Sequence, residues 1–214
     1  MTLIKSISGI RGTLGGNVGE NLTPIDVVKY AAAYGAWILS AKKGKKVVVG
    51  RDARISGPMV HELVVNTLIA LGIDVVDAGL STTPTVEMAV VEEKAAGGII
   101  LTASHNPKQW NALKLLNHKG EFISAADGAM VLELAESNNI AFAGVDQLGS
   151  ITKKDFLPMH IQKILDLPLV KRDIIAAQKF KIAVDAVNSV GGIAVPALLR
   201  ALGVEAIEEI NREP

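Results

Sequence analysis

The stretch Gly98-Ile99-Ile100-Leu101-Thr102-Ala103-Ser104-His105-Asn106-Pro107 decides the fold, because an apolar run ends there in small and polar residues. A short apolar run of this kind predicts a β-strand that is buried on both faces. Ser104, His105 and Asn106 then offer a hydroxyl, an imidazole and an amide, and Pro107 biases the chain away from helix. Buried strands often present reactive groups on the loops at their ends. The segment is therefore either a polar turn between two strands or a reactive loop.

Short strands alternate with capped helices on both sides of this stretch. Apolar runs predict strands at residues 47–49, 74–79, 97–101 and 112–117. Cap residues followed by proline or an acid predict helix starts at Thr23, Ser56 or Gly57, Thr82 or Thr83, and Ser124. This alternation predicts an α/β fold, a three-layer α/β/α domain with a mostly parallel mixed sheet. Ligands on such sheets bind at the carboxyl ends of the strands, where residues 51–54 and 104–106 would lie.

The domain organisation follows from the same pattern. Residues 1–150 form the predicted α/β domain, with turn composition over 145–152, and residues 151–179 form a helical linking segment. Residues 180–214 begin a second, incomplete α/β unit with a strand, a loop, a helix and the start of another strand. Two strands and one helix cannot bury a core of their own. We therefore expect the chain either to be truncated or to pack this unit against the first domain.

Composition narrows the function classes. Apolar residues make up 49% of the 214 residues, and Lys plus Arg balance Asp plus Glu at 22 each, for a net charge of +0. That balance gives no electrostatic footprint for nucleic acid or for an anionic membrane. Cysteine is absent, which excludes disulfides, thiolate metal sites and a cysteine nucleophile. No signal peptide or membrane-spanning run is recognised, so we expect a soluble cytoplasmic protein with no nucleic-acid or membrane partner.

Charged residues near the strand ends are the other site candidates. Arg11 lies between two glycines and suits bidentate binding of a phosphate, although a solvated arginine on a flexible loop is favoured from these residues alone. The group Arg51, Asp52 and Arg54 is interpreted as structural pairing that orders its own loop. Lys114 is a charge inside an apolar run. It would guard an edge strand against aggregation, or it would lie in the site if the chain turns back there.

Two neighbouring motifs carry a family resemblance. Thr-Ala-Ser-His-Asn-Pro at 102–107, followed by Trp-Asn-Ala-Leu-Lys at 110–114, strongly resembles the phosphoserine loop of the α-D-phosphohexomutases. That superfamily includes phosphoglucomutase, phosphomannomutase and phosphoglucosamine mutase. Residues 8–13, 50–54 and 184–192 resemble the family's N-terminal loop, its second-strand motif and the start of its second domain. The family commonly has tyrosine at the position of Trp110 and glycine at that of Ala112, and neither change removes a reactive group.

The resemblance implies an enzyme that moves phosphate between O1 and O6 of a hexose phosphate through a hexose 1,6-bisphosphate. It makes Ser104 the phosphoserine, whose phosphate is one ligand of Mg²⁺ in the full-length enzyme. Lys114 would stabilise the transferring phosphoryl group or assist proton transfer, and Arg11 would hold a phosphate. His105 would share acid–base work or order the loop. Family members have four domains, and the metal loop with its three aspartates is not among these residues, so we expect a truncated and inactive N-terminal piece.

Two alternatives use the same loop. The first is a non-catalytic phosphosugar-binding module. The second is a serine hydrolase with Ser104 as acyl nucleophile, which ranks last because no Gly-x-Ser-x-Gly elbow is present and the serine precedes a strand. The family's sugar-selecting loop also lies outside these residues, so glucose, mannose and glucosamine all stay open as the sugar.

Overall fold

Nine strands and seven α-helices follow one another in a computed structural model that describes residues 1–6, 9–137 and 139–214. Ser8, the first residue of the predicted 8–13 motif, lies outside the described residues. The first eight strands and helices with their bounds are β1 (Ile4–Ser6), β2 (Gly9–Thr13), α1 (Pro24–Ser40), β3 (Lys46–Arg51), α2 (Gly57–Ala70), β4 (Asp74–Leu80), α3 (Thr83–Glu92) and β5 (Gly97–Leu101).

The remaining strands and helices are β6 (Trp110–Leu116), α4 (Ala125–Ser137), β7 (Ile151–Lys153), α5 (Leu157–Leu165), α6 (Arg172–Ala177), β8 (Lys181–Asp185), α7 (Gly191–Ala201) and β9 (Ala206–Ile210). A 3₁₀ turn at Val145–Gln147 precedes β7.

Seven strands form one mixed sheet in the order β1-β2-β6-β5-β3-β4-β7. The four strands β5, β3, β4 and β7 are parallel, whereas β6 is antiparallel to both β5 and β2, and β1 is antiparallel to β2. Five of the seven strands therefore run in the same direction. Helices α1, α2 and α4 cover one face, and α3 with the start of α5 covers the other. The predicted three-layer α/β/α fold with a mostly parallel mixed sheet is confirmed.

Three strands of this sheet were not predicted, and the first of them is the edge strand β1, which pairs with β2. β2 occupies residues that were interpreted as a flexible N-terminal loop, and β7 lies where turn composition was expected. Both β2 and β7 are short and contain few apolar residues. Each lies at or next to an edge of the sheet and is ordered by pairing with a longer neighbouring strand. Through β7 the first sheet extends to residue 153.

The centre of the sheet is held rigidly against α1. All five residues of β5 are buried. The hydroxyl of Tyr34 on α1 lies 2.7 Å from the carbonyl oxygen of Leu116 and 3.1 Å from that of Gly98, so it ties β5 to β6. A side chain at Gly97 would meet this hydroxyl at 2.2 Å, which is why the strand begins with glycine. The strand that leads into the Ser104 segment is thus fixed from both faces.

The residues after α6 form a small second unit. β8 and β9 pair in parallel and are joined by α7. Residues along both strands alternate between exposed and half-buried, unlike those of β5. The connecting helix α5 packs against both α3 and α7.

Candidate functional site

The segment between β5 and β6, residues 102–109, is here called the Ser104 loop. It leaves the carboxyl end of β5, whose last residue, Leu101, pairs with Arg51 of β3. The turn after β3, residues 52–56, therefore lies beside it, and we call this turn the Arg54 loop. Both loops were predicted at the carboxyl edge of the sheet, and the structure brings them together there.

Ser104 has a left-handed backbone, with φ of +53°. Non-glycine residues seldom adopt this conformation, and where they do it often accompanies function. The side chain of Thr102 supports it by accepting a hydrogen bond from the Ser104 N–H at 3.1 Å, and Asn106 N–H donates to the Ala103 carbonyl. Ser104 itself is exposed. The loop therefore presents a hydroxyl to solvent on an ordered but strained backbone.

His105 is a weak partner for this hydroxyl. Its Nδ1 lies 3.4 Å from Ser104 Oγ, at the long limit for a hydrogen bond. Among the described residues no carboxylate contacts His105, and β6 rather than a helix follows the loop. A Ser-His-acid triad needs a third group to orient the histidine. The geometry thus disfavours the serine hydrolase and keeps His105 as a neighbour of Ser104.

Arg54 is the residue whose role the sequence did not predict. Its Nη1 donates to the carbonyls of Pro107 and Trp110 at 2.9 and 3.0 Å, and its Nη2 donates to those of Ser104 and Asn106, both at 2.8 Å. The predicted structural pairing with Asp52 is also present, with Arg54 Nε 3.2 Å from Asp52 Oδ2. The predicted pairing within the arginine's own loop is therefore confirmed. The prediction did not include the main contacts of the guanidinium, which are with the neighbouring Ser104 loop and the start of β6.

A second hydrogen bond joins the Arg54 loop to the start of β6, directly after the Ser104 loop. The fully buried Asn111 donates through Nδ2 to Ser56 Oγ at 2.9 Å. Ser56 precedes α2 as predicted, but its side chain makes no capping hydrogen bond to that helix. The hydroxyl instead accepts from Asn111. The motif around residue 54 and the start of β6 therefore form one hydrogen-bonded frame.

Lys114 lies on an interior strand, since β6 is third of seven in the sheet. The edge-strand interpretation of this lysine is therefore wrong. Its Nζ is 5.7 Å from the ring centroid of Phe122, and its charge acts on Glu87 of α3, where burial raises the pKa of the carboxyl and the lysine opposes that rise. The described hydrogen bonds and ion pairs do not join Lys114 to Ser104.

Arg11 is exposed on β2, where it pairs with Ala112 of β6. Side chains alternate across a sheet. Arg11 and Lys114 therefore share the α3 face, while Ile10 and Leu113 face α1 and α2. The flexible-loop interpretation of Arg11 is wrong. The structure places both predicted cations on neighbouring strands of one face, below the Ser104 loop, without direct contact to Ser104 Oγ.

The donor set for a metal ion is incomplete here. Within residues 1–6, 9–137 and 139–214, no group of three or more His, Cys, Asp or Glu side chains is arranged to hold a metal ion. Ser104 supplies one hydroxyl oxygen, and Mg²⁺ needs about six oxygen ligands. These residues do not by themselves fit the implied magnesium site.

A cavity of about 580 Å³ lies at the same edge of the sheet but further along it, beside β4. Its walls include His61 and Asp77, whose Nε2 and Oδ1 atoms are 2.9 Å apart. Burial of Asp77 raises the pKa of its carboxyl, but hydrogen bonds from His61 and from the Gly79 N–H outweigh this and hold the pKa below its usual value. Ser104 does not line this cavity.

None of the helices formed by the described residues has the length and apolar character needed to cross a lipid bilayer.

Comparison with known proteins agrees with this geometry. Residues 4–140 match the family model described as phosphoglucomutase/phosphomannomutase, alpha/beta/alpha domain I. A phosphoglucomutase/phosphomannomutase of Thermococcus kodakarensis is 34% identical over 210 residues, covering 95% of this chain and 44% of the relative. A phosphoglucosamine/phosphogalactosamine mutase of Sulfurisphaera tokodaii is 30% identical over 200 residues, covering 91% of this chain and 41% of the relative.

Solved structures give the same result. The crystal structure of a phosphoglucomutase/phosphomannomutase family protein from Burkholderia thailandensis superposes with a TM-score of 0.79 at 26% identity, covering 99% of this chain and 45% of that one. The chain thus spans less than half the length of each of these relatives.

Proposed function

Because the chain belongs to the phosphoglucomutase/phosphomannomutase family, we propose that it carries the phosphoryl-bearing serine of a phosphohexomutase, and that this serine is Ser104. The observation that supports this most is the exposed Ser104 hydroxyl on a left-handed backbone at the end of a buried strand. Strain of this kind persists only where the surroundings hold it. Here the Arg54 loop does so.

The proposed reaction has two transfers. In the first, the free O1 or O6 hydroxyl of a hexose monophosphate attacks the phosphorus of phosphorylated Ser104, the Ser104 Oγ–P bond breaks and a sugar O–P bond forms. The proton of the attacking hydroxyl ends on Ser104 Oγ, and the product is a hexose 1,6-bisphosphate. In the second, Ser104 Oγ attacks the other phosphorus of the bisphosphate, that sugar O–P bond breaks, and the freed sugar oxygen takes the serine proton as the hexose monophosphate leaves. The phosphate migrates between O1 and O6, and the serine is restored in its phosphorylated form.

The remaining roles follow from charge. A phosphoserine carries about −1.5 to −2 charges at neutral pH. Phosphoryl transfer depends on positioning and on compensating charge at the equatorial oxygens. We propose that the side chains of Lys114 and Arg11 provide positive charge from the α3 face once a substrate is bound. We also propose that His105 shares acid–base work with Ser104 or orders its loop. We also propose that Mg²⁺ neutralises the phosphate of Ser104 with carboxylates from outside these residues, and that the 214-residue chain alone does not turn over a hexose phosphate.

A fusion provides the test. Residues 1–214 are joined to the part of the Thermococcus kodakarensis relative that the chain does not cover, and the protein is incubated with glucose 1,6-bisphosphate labelled in both phosphates. We expect phosphate on Ser104 by peptide mass spectrometry, together with interconversion of glucose 1-phosphate and glucose 6-phosphate. Ser104→Ala should abolish both. Ser189→Ala, in the loop after β8, is the matched control and should keep both.

Two results would count against the proposal. A fusion that folds and binds hexose phosphate, but gains no phosphate on any serine, would favour the non-catalytic phosphosugar-binding module. Turnover of glucose 1-phosphate by the 214-residue chain alone would contradict its expected inactivity.

A further inference from the structure

We propose that Arg54 is the positioning residue of the Ser104 loop: it sets the peptide planes of the loop by binding three of its carbonyl groups and that of Trp110, where β6 begins. The inference rests on the proposed function only for its catalytic consequence, since the positioning itself is a property of this chain. Four neutral acceptors on one guanidinium, two on each terminal nitrogen, use all four Nη hydrogens of the arginine.

The guanidinium is itself fixed. Asp52 accepts from the Arg54 N–H through Oδ1 at 3.0 Å and faces Arg54 Nε with Oδ2 at 3.2 Å. The Asp52 N–H in turn donates to the carbonyl of Leu101 at 3.0 Å. Arg54 and Asp52 side chains are only 12% and 14% exposed. Asp52 thus links the last carbonyl of β5, through its backbone N–H, to the arginine that holds the loop after β5, through its carboxylate.

The carbonyl contacts determine which way the loop amides point. A trans peptide is planar, with its C=O and N–H directed to opposite sides. Arg54 binds the Ser104 carbonyl, so the His105 N–H of the same peptide points away from the guanidinium. That N–H takes part in none of the hydrogen bonds of the described residues, and both Ser104 and His105 are exposed. By turning carbonyl oxygens inward, Arg54 keeps their negative ends away from the exposed side, where a phosphate on Ser104 would lie.

A lysine at position 54 would not do this. An ammonium is a compact charge with three rotatable donors, whereas the planar guanidinium spans separate acceptors in a fixed geometry. Arg54→Lys keeps the charge and the attraction to Asp52, so it should fold even if Arg54→Ala does not. The lysine variant therefore separates positioning from charge.

The first measurement is amide hydrogen exchange on the 214-residue chain by NMR. The reporters are the hydrogen-bonded N–H groups of Ser104, Asn106 and Trp110. In Arg54→Lys and Arg54→Ala we expect their exchange to accelerate by about 10- to 100-fold, since each bond to a charged group is worth roughly one to two powers of ten. Amides of β3 and β4 should change far less. Methylguanidinium should restore protection in Arg54→Ala, and methylammonium should not.

Arg51→Lys is the matched control, because Arg51 lies in the same motif and donates to the Asp52 carbonyl but to no carbonyl of the Ser104 loop. It should leave the three reporters within about twofold of their normal rates. Unchanged reporters in both Arg54 variants, or equal acceleration in Arg51→Lys, would overturn the inference.

The second measurement is the rate of Ser104 phosphorylation in the fusion. We expect Arg54→Lys to slow it by more than about tenfold while hexose phosphate binding is kept. If Arg54→Lys accelerates amide exchange in the loop while Ser104 is still phosphorylated at the normal rate, the catalytic consequence is overturned. If the unsubstituted fusion is never labelled, the proposed function fails, and the exchange experiment still decides the positioning role.

Discussion

Two loops of this molecule follow the carboxyl end of a parallel strand and contain left-handed residues, yet they are held in different ways. The Ser104 loop follows β5, which is wholly buried, and a nearly buried arginine from the next strand's loop binds it. The Asn188 loop, residues 186–190, follows β8, which is half-exposed. Its hydrogen bonds lie near the surface, such as the Asn188 N–H to the Asn211 carbonyl and the Val187 N–H to Asp185 Oδ1.

The difference shows what a strained loop needs in order to carry chemistry. Hydrogen bonds exposed to water each contribute little net free energy, so the Asn188 loop is free to exchange them for water. The Ser104 loop is supported by a buried strand, a buried amide and an ion pair whose side chains are only 12% and 14% exposed, which leaves little room for that exchange. Of the two loops, the Ser104 loop therefore provides the fixed position that the proposed phosphoryl transfer requires.

Replacing one core residue in each region gives the largest expected contrast. Ile99→Ala in the middle of β5 removes a side chain with no solvent exposure, and we expect a loss of about 3–4 kcal/mol in the free energy of unfolding. Ile210→Ala on β9, where the side chain is 44% exposed, should cost less than about 1.5 kcal/mol. Urea unfolding measures both. Equal losses would show that the second unit is as well supported as the first.

The ion pairs of the two regions provide the next contrast. Asp52→Asn leaves the Arg54 guanidinium, 12% exposed, without its counter-charge, and a loss of about 3 kcal/mol is expected. Glu209→Gln is the matched change, because Glu209 pairs with Arg200 and Arg212, which are 57% and 59% exposed. Water can solvate those arginines, so the expected loss is below about 1 kcal/mol. A result in the opposite order, again from urea unfolding, would contradict the account of the Arg54 loop.

In the seven-stranded sheet, the strands that the sequence predicted are those whose burial is visible in their own residues. The apolar runs of β3, β4 and β5 fill both faces of the sheet, so their pattern alone identifies them. β2, with the sequence Gly-Ile-Arg-Gly-Thr, and β7, with Ile-Thr-Lys, have no such pattern. Both are strands because of the neighbour they pair with, and pairing between distant segments leaves no local signal.

The same reasoning applies to the site. Ser104 was predicted because its chemistry and its position at a strand end are local features. The contacts of Arg54 with four carbonyls 50 to 56 residues away could not be predicted, because backbone acceptors have no identity in a sequence. The sequence contains one relevant feature, the charged motif that directly follows β3. Its importance depends on β3 lying next to β5, the strand that leads into the Ser104 loop. That adjacency requires the strand order, which short parallel strands alone do not determine.

Glycine substitutions at the left-handed residues test the strain in each loop. Val187 is branched at Cβ, has φ of +47° and is 75% exposed, so Val187→Gly should stabilise the chain by about 1 kcal/mol. Ser104→Gly relieves the same strain and should be stabilising by a smaller amount, because the side chain also meets its neighbours. Thermal unfolding measures both changes, and Ser104→Gly should abolish labelling of the fusion. A destabilising Ser104→Gly would mean that the loop does not store strain.

The smallest effect is expected from pH, and it concerns the helix that joins the two regions. His160 on α5 lies with Nδ1 2.9 Å from Thr85 Oγ1 of α3, and burial lowers the pKa of its imidazole below 6.5. The unfolded chain therefore takes up this proton first as the pH falls, so His160 lowers the free energy of unfolding as the pH drops below about 6.5 toward the lowered pKa. The loss should stay below about 1 kcal/mol because the ring is only half-buried. Urea unfolding from pH 7.5 to 5.5 measures this loss, and His160→Gln should flatten the dependence of the free energy of unfolding on pH.

The position of α5, which packs on both α3 and α7, also predicts where the structure opens first at low pH. Amide exchange protection should fall first at β8 and β9 and not at β5. Equal changes at all three strands would mean that the two regions open as one unit.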